Sequence, residues 1–185
     1  MTRLLAFALV FLCTPLATAA DQATRIADLW SGTGGGIFEF HAAELGGELV
    51  FAARDGVVSP NPLWLWRYDG QAAPSLIPDQ TNLNIQPQHF AVWNGVLYYG
   101  VNSGAGGLWS YDGLAAPSQV LTAVGFPDEL EVFPRPQATD LLCFWGFNGS
   151  VSSELFCWDG SGPADFYDIR PGPVGSDPRD LTVFD

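Results

Sequence analysis

The chain has 185 residues, 20 acidic against 7 basic side chains, and a net charge of −13, and every basic residue is arginine. Such a surface repels a phosphate backbone, which excludes nucleic-acid partners. The excess acid reads as solubility in an extracellular or salty setting rather than as acid-specific chemistry.

The first twenty residues carry Arg3, an apolar run from Leu4 to Leu12, and small residues at Ala17 and Ala19 before Asp21. That order of charge, apolar stretch and small-residue cleavage site is a secretory signal peptide, formed as a helix and removed from the mature fold. The run is shorter than the ~20 residues of a bilayer span. Leu12 before Cys13 lacks the small side chain of a lipoprotein processing site. The expected organisation is a signal peptide over 1–20 and one repeat domain over 21–185. No later stretch is long and apolar enough to span a membrane, so the chain is expected outside the cytoplasm, secreted, periplasmic or on the cell surface.

After the leader, short apolar runs recur in a fixed order. The first unit contains "GIFEFH", "ELVFAA", "LWLWRYDG" and "SLIPD". The second reads "HFAVWN", "GVLYYGV", "GLWSYDG" and "SQVLTAV", and the third "ELEVFP", "LLCFWGF", "ELFCWDG" and "ADFYDI". Aromatic and β-branched residues dominate these runs, and Gly, Pro, Asn and Asp separate them, so they predict strands and turns. Asp69, Asp112 and Asp159 each precede a glycine at spacings of 43 and 47 residues. "HFAVWN" and "DLTVFD" start 91 residues apart, two units of about 45. Asp-Gly supplies a positive-φ turn between the third and fourth strands, which assigns these aspartates to folding rather than catalysis.

Four antiparallel strands every ~40–45 residues describe a β-propeller blade. The predicted fold is all-β: a partial β-propeller of about three four-stranded antiparallel blades, with unpaired first and last strands. The units run roughly over 37–79, 89–125 and 129–170, with a fourth starting at 180. The opening "RIADLWSGTGGGIFEF" parallels "DFYDIRPGPVGSDPRDLTVF", as though the two termini share a blade. Propellers use ~4–8 blades. The sequence therefore implies a fragment, or several chains closing one ring, with open edges prone to self-association.

Two cysteines lie beyond the leader. Cys143 and Cys157 flank a polar loop centred on Ser150, so a symmetric hairpin sets them opposite each other. Directly opposed cysteines bridge well only at a non-hydrogen-bonded pair; two buried free thiols are the alternative.

The third unit and the C-terminal residues after it resemble the bacterial ELWxxDGT repeat, a hyalin-like family. The resemblance is carried by Glu154, Leu155, Phe156 in the Trp position, Asp159, Gly160, Asp168, Ile169, Pro171, Gly172, Ser176, Pro178, Leu181 and Thr182. Asn94, Gly95, Leu97, Tyr98 and Tyr99 supply the rest from the second unit. Gln71, Leu114 and Ser161 stand where the repeat has Thr, and the first unit lacks most of the Pro-Gly turn. The resemblance implies a scaffold or adhesion module of a large exported protein, with no general enzymatic role.

No catalytic constellation emerges. His41 and His89 lack a cysteine or second histidine at ligand spacing and read as rim histidines, so neither a metal nor another cofactor is expected. No G-x-S-x-G elbow is present. "PDELEVF" gathers Asp128, Glu129 and Glu131; alternation puts Glu129 and Glu131 on one side of a strand and leaves Asp128 in the entry loop. "NGS" at 148–150 reads as a hairpin turn, and "SGTGGG" as a connection between units. Tryptophans fall in or beside strands, where packing between blades is the simpler role. Binding is expected on the loops between second and third strands and between units, with Arg54, Asp55, Asn61, Asn102, Asp128, Glu129 and Ser152 as the site residues. The expected function is a secreted, non-enzymatic scaffold for a protein or glycan ligand. The alternative is a fragment of a propeller-type hydrolase such as a glycosidase.

Overall fold

The computed structural model describes residues 41–54, 63–78, 80, 86–102, 106–149 and 153–183. The expected leader, "SGTGGG" and most of "GIFEFH" lie outside these residues, as do Asp55, Asn61 and Ser152. The described chain is all-β. Its strands are β1 (Ala42–Leu45), β2 (Glu48–Ala53), β3 (Trp64–Tyr68), β4 (Ser75–Leu76), β5 (Pro87–Trp93) and β6 (Val96–Val101). They continue as β7 (Gly107–Tyr111), β8 (Ser118–Leu121), β9 (Gly125–Phe133), β10 (Leu141–Phe147), β11 (Glu154–Trp158) and β12 (Asp165–Tyr167). They form three four-stranded antiparallel meanders, β1–β4, β5–β8 and β9–β12, each paired in chain order. No described helix is long and apolar enough to cross a membrane.

Turn chemistry sets the hairpins. Gly46–Gly47 and Asn94–Gly95 join the first and second strands of two sheets, all four residues at positive φ, the twist that favours two-residue hairpins. Between third and fourth strands, Asp69 Oδ1 accepts the N–H groups of Gln71 and Ala72 at 2.8 and 2.9 Å. Asp112 does the same for Leu114 and Ala115 at 2.9 and 2.8 Å. Asp159 Oδ1 accepts both the N–H and the hydroxyl of Ser161 at 2.9 Å. The glycine after each aspartate has φ between 84 and 94°. These bonds hold each carboxyl below its usual pKa, led by the Gln71 amide at Asp69, the Leu114 amide at Asp112 and the Ser161 hydroxyl at Asp159.

The sheets pack face on face. Leu45, Val50, Trp64, Leu65 and Ile77 of the first meet Leu97, Tyr99, Val101, Trp109 and Tyr111 of the second. The second turns its opposite face, including Trp93, Leu108 and Leu121, to Leu130, Leu142, Phe144, Phe156 and Trp158 of the third. Alternation accounts for the division, since Leu97 and Tyr99 face one way along β6 and Tyr98 the other. Complete burial of a leucine contributes ~1.5–3 kcal/mol, so these two apolar layers outweigh any single turn. Backbones come close between sheets two and three. A Cβ on Gly100 of β6 would lie 1.8 Å from the Pro127 carbonyl oxygen of β9.

Cys143 and Cys157 are direct register partners on β10 and β11, joined by a disulfide with a Cα–Cα distance of 4.1 Å. They lie on the face of the third sheet turned away from the second. There they line, with Phe133, Leu141, Leu155 and Leu181, an apolar hollow of about 340 Å³.

One expectation is corrected here. β9 begins at Gly125, so Asp128 lies within the strand rather than in an entry loop. Residues 180–183, where an unpaired last strand is expected, pair with no strand among the described residues.

Candidate functional site

The registers define equivalent positions in the three sheets. Val50 pairs with Ala43 and Arg67, Tyr98 with Ala91 and Ser110, and Cys143 with Glu131 and Cys157. Arg67, Ser110 and Cys157 each stand two residues before the aspartate of the Asp-Gly turn. Ala43, Ala91 and Glu131 are therefore equivalent, and two residues earlier so are His41, His89 and Glu129. The parallel between "HFAVWN" and "DLTVFD" adds Asp180 to this set.

Backbone geometry marks the same position. His89, Glu129 and Asp180 have φ of 49, 53 and 53°. A non-glycine residue held in this region costs ~1–3 kcal/mol. For His89 and Glu129 the cause is a bulge. Three steps along β5 from Gln88 to Ala91 match two steps along β6, and three along β9 from Asp128 to Glu131 match two along β10. The extra residue re-aims its neighbours and ends the strict alternation on which the expected common side of Glu129 and Glu131 depended.

Stacking then joins the bulges. The His89 N–H donates to Nδ1 of His41 at 3.2 Å, and the two imidazole centroids lie 4.9 Å apart. His89 Nε2 is 2.5 Å from Asp128 Oδ1, which also accepts the Glu129 N–H at 2.7 Å. Burial pushes the Asp128 carboxyl up, but the His89 hydrogen bond and charge, the Glu129 amide and the Arg179 charge together hold it below its usual value. One ligand atom each from His89, Asp128 and Glu129 lie within 4.8 Å of one another, all three residues half-buried.

The surroundings are built by the same end of each sheet. Asn102, directly after β6, donates through Nδ2 to Oε1 of Gln88. Arg54 directly follows β2 at the corresponding end of the first sheet. Arg179 arrives on the segment after β12, with its guanidinium carbon 5.3 Å from the Trp145 ring centroid. That segment is strapped down by Glu154, only 2% exposed at the start of β11. Its carboxylate accepts the N–H groups of Ile169 at 3.2 Å and Ser176 at 3.0 Å, and also the Ser176 hydroxyl. The Asp177 N–H donates to the Ser153 carbonyl at 3.1 Å. Gly175 is required beside this bond, because a Cβ there would sit 2.4 Å from the same carbonyl oxygen. In the first sheet, buried Gln80 plays a comparable part, bridging the N–H and C=O of Leu65.

Of the residues expected to bind, Arg54, Asn102, Asp128 and Glu129 share this end of the sheets, while Asp55, Asn61 and Ser152 lie outside the described residues. The structure adds His41 and His89, read from the sequence as rim histidines. Pattern reasoning missed the pairing because His89 and Asp128 are 39 residues apart and on different sheets. One signal was available: aligning the repeats sets His41, His89, Glu129 and Asp180 at one position, each a residue type able to ligate or titrate. A scan against protein-family models found no matching family, and searches of curated proteins and of solved structures found no match.

Proposed function

We propose that this chain is a secreted, non-enzymatic repeat scaffold of propeller-like blades that binds a protein or glycan through the end bearing the bulged first strands. The observation that carries the reading is the convergence of His41, His89, Asp128 and Glu129, at the starts of three consecutive sheets, beside the chain ends that follow second strands. A stack of rigid sheets presenting polar groups at one end is a common way to build a binding surface. The disulfide accords with an oxidising compartment, and the leader-like first twenty residues supply a route there.

The kinship proposed with ELWxxDGT repeats gains support from two of its motif residues. Glu154 and Ser176 are 22 positions apart and hydrogen-bonded, which gives their joint presence a structural reason. The outer apolar face of the third sheet corresponds to the face that the second sheet offers to the third, so a further blade is a natural neighbour for it.

The test is a glycan and protein-ligand screen on the purified exported chain, followed by paired variants. Asn102→Ala and Arg54→Ala should weaken a specific ligand by about tenfold, since each removes a polar contact from the binding end. Leu114→Asp, at the opposite turn of the second sheet, should leave binding unchanged. Turnover of a glycoside or ester would overturn the scaffold reading, as would equal sensitivity of both ends.

A further inference from the structure

We infer that His89, Asp128 and Glu129 form a divalent transition-metal site, of the zinc class, that clamps the second sheet to the third. The three ligands come from two bulged first strands, and their ligating atoms lie within 4.8 Å of one another. One imidazole nitrogen and two carboxylates suit zinc or a neighbouring first-row ion better than calcium, which takes six to eight oxygens. Two carboxylates also balance a dipositive ion.

The groups that orient these ligands are already in place. The His89 backbone is fixed by its N–H bond to His41 Nδ1, and Asp128 Oδ1 is held by the Glu129 amide. Such outer partners orient metal ligands in established sites. His89 Nε2 and Asp128 Oδ1 lie 2.5 Å apart, so one cation could bind both atoms. Bonds of ~2.0–2.2 Å from zinc to nitrogen and oxygen would require the two atoms to part slightly, which side-chain rotation supplies. Besides His89, the positive group acting on Asp128 is Arg179, whose guanidinium stacks over Trp145.

Three protein ligands leave the fourth position of a tetrahedral zinc site to water or another ligand. The site does not depend on the scaffold reading. It would bind its ion whether the surrounding surface takes a protein, a glycan or neither.

The experiment is calorimetric titration of the chelator-dialysed exported chain with Zn²⁺, and separately with Ca²⁺. One equivalent of zinc is expected to bind saturably, with calcium much weaker. Glu129→Gln and His89→Gln should each lose at least about tenfold in zinc affinity. Should either variant fail to fold, the imidazole resonances of the unmodified chain give the same answer: those of His89 should shift on adding zinc. Absence of saturable uptake, uptake unaffected by both substitutions, unmoved His89 resonances, or a preference for calcium would each overturn the assignment.

Discussion

Glu154→Gln isolates the hydrogen bonds that strap the segment after β12 to the third sheet. The substitution keeps the side-chain volume at a position only 2% exposed, so packing is held constant. The wild-type carboxylate accepts three bonds, from the amides of Ile169 and Ser176 and from the Ser176 hydroxyl. A carboxamide offers one oxygen in place of two. If that oxygen keeps the Ser176 amide, the new NH₂ confronts the Ile169 N–H; the Ser176 hydroxyl can turn to accept, but the backbone donor cannot. Bonds to charged groups contribute ~1.5–3 kcal/mol, and stranding a buried donor costs ~1–3 kcal/mol. Because the strap lies at the surface and part of the loss is recovered by water, the expected destabilisation is about 1–2 kcal/mol. Urea unfolding with the disulfide intact measures it globally. Hydrogen exchange measures it locally, where the Ile169 and Ser176 amides should lose protection while those of β6 and β10 keep theirs. Unchanged stability together with unchanged protection at both amides would refute the reasoning, because the bonds would then hold nothing.

Gly100→Ala should destabilise the chain by about 1–3 kcal/mol, because the added Cβ meets the Pro127 carbonyl oxygen, a backbone atom unable to step aside cheaply; thermal unfolding reports it. Reducing Cys143–Cys157, whose partners are 14 residues apart, should lower stability by about 2–4 kcal/mol, read from urea midpoints with and without a thiol reductant. Asp69, Asp112, Asp128 and Asp159 all have carboxyl pKa values depressed by folding. Their contribution is therefore present above the unfolded value of ~3.9 and lost as pH falls through the lower folded values, so urea midpoints should drop with acidification in that window. Asp112→Asn keeps the Oδ1 acceptor of the turn but removes its titration, and should shrink the fall in midpoint between neutral and acid solution.

Much of the fold could be read from residue order because its causes are local. An Asp-Gly pair makes the same turn wherever flanking strands permit it, and Asp69, Asp112 and Asp159 all cap their turns as their spacing implied. The pairing of Cys143 with Cys157 is similarly local, since a hairpin symmetric about Ser150 puts them opposite each other. The expectations for β9 failed where the local rule fails. Alternation along "PDELEVF" assumes an unbroken pleat, but Glu129 takes a positive φ within a bulge, and no residue in that stretch announces it. Glu154 stood out only as a motif letter. Its burial and its three bonds depend on a segment 15 to 22 residues downstream folding back over β11.

The sequence by itself determined the strand content, the repeat, the turns and the opposition of Cys143 and Cys157, because these depend on neighbours within a few residues or across one hairpin. Only the tertiary structure decided that His41, His89, Asp128 and Glu129 meet. Their contacts cross from sheet to sheet, and they exist because apolar faces on both sides of β6 and β7 must be covered at once, which draws the bulged first strands together at one end.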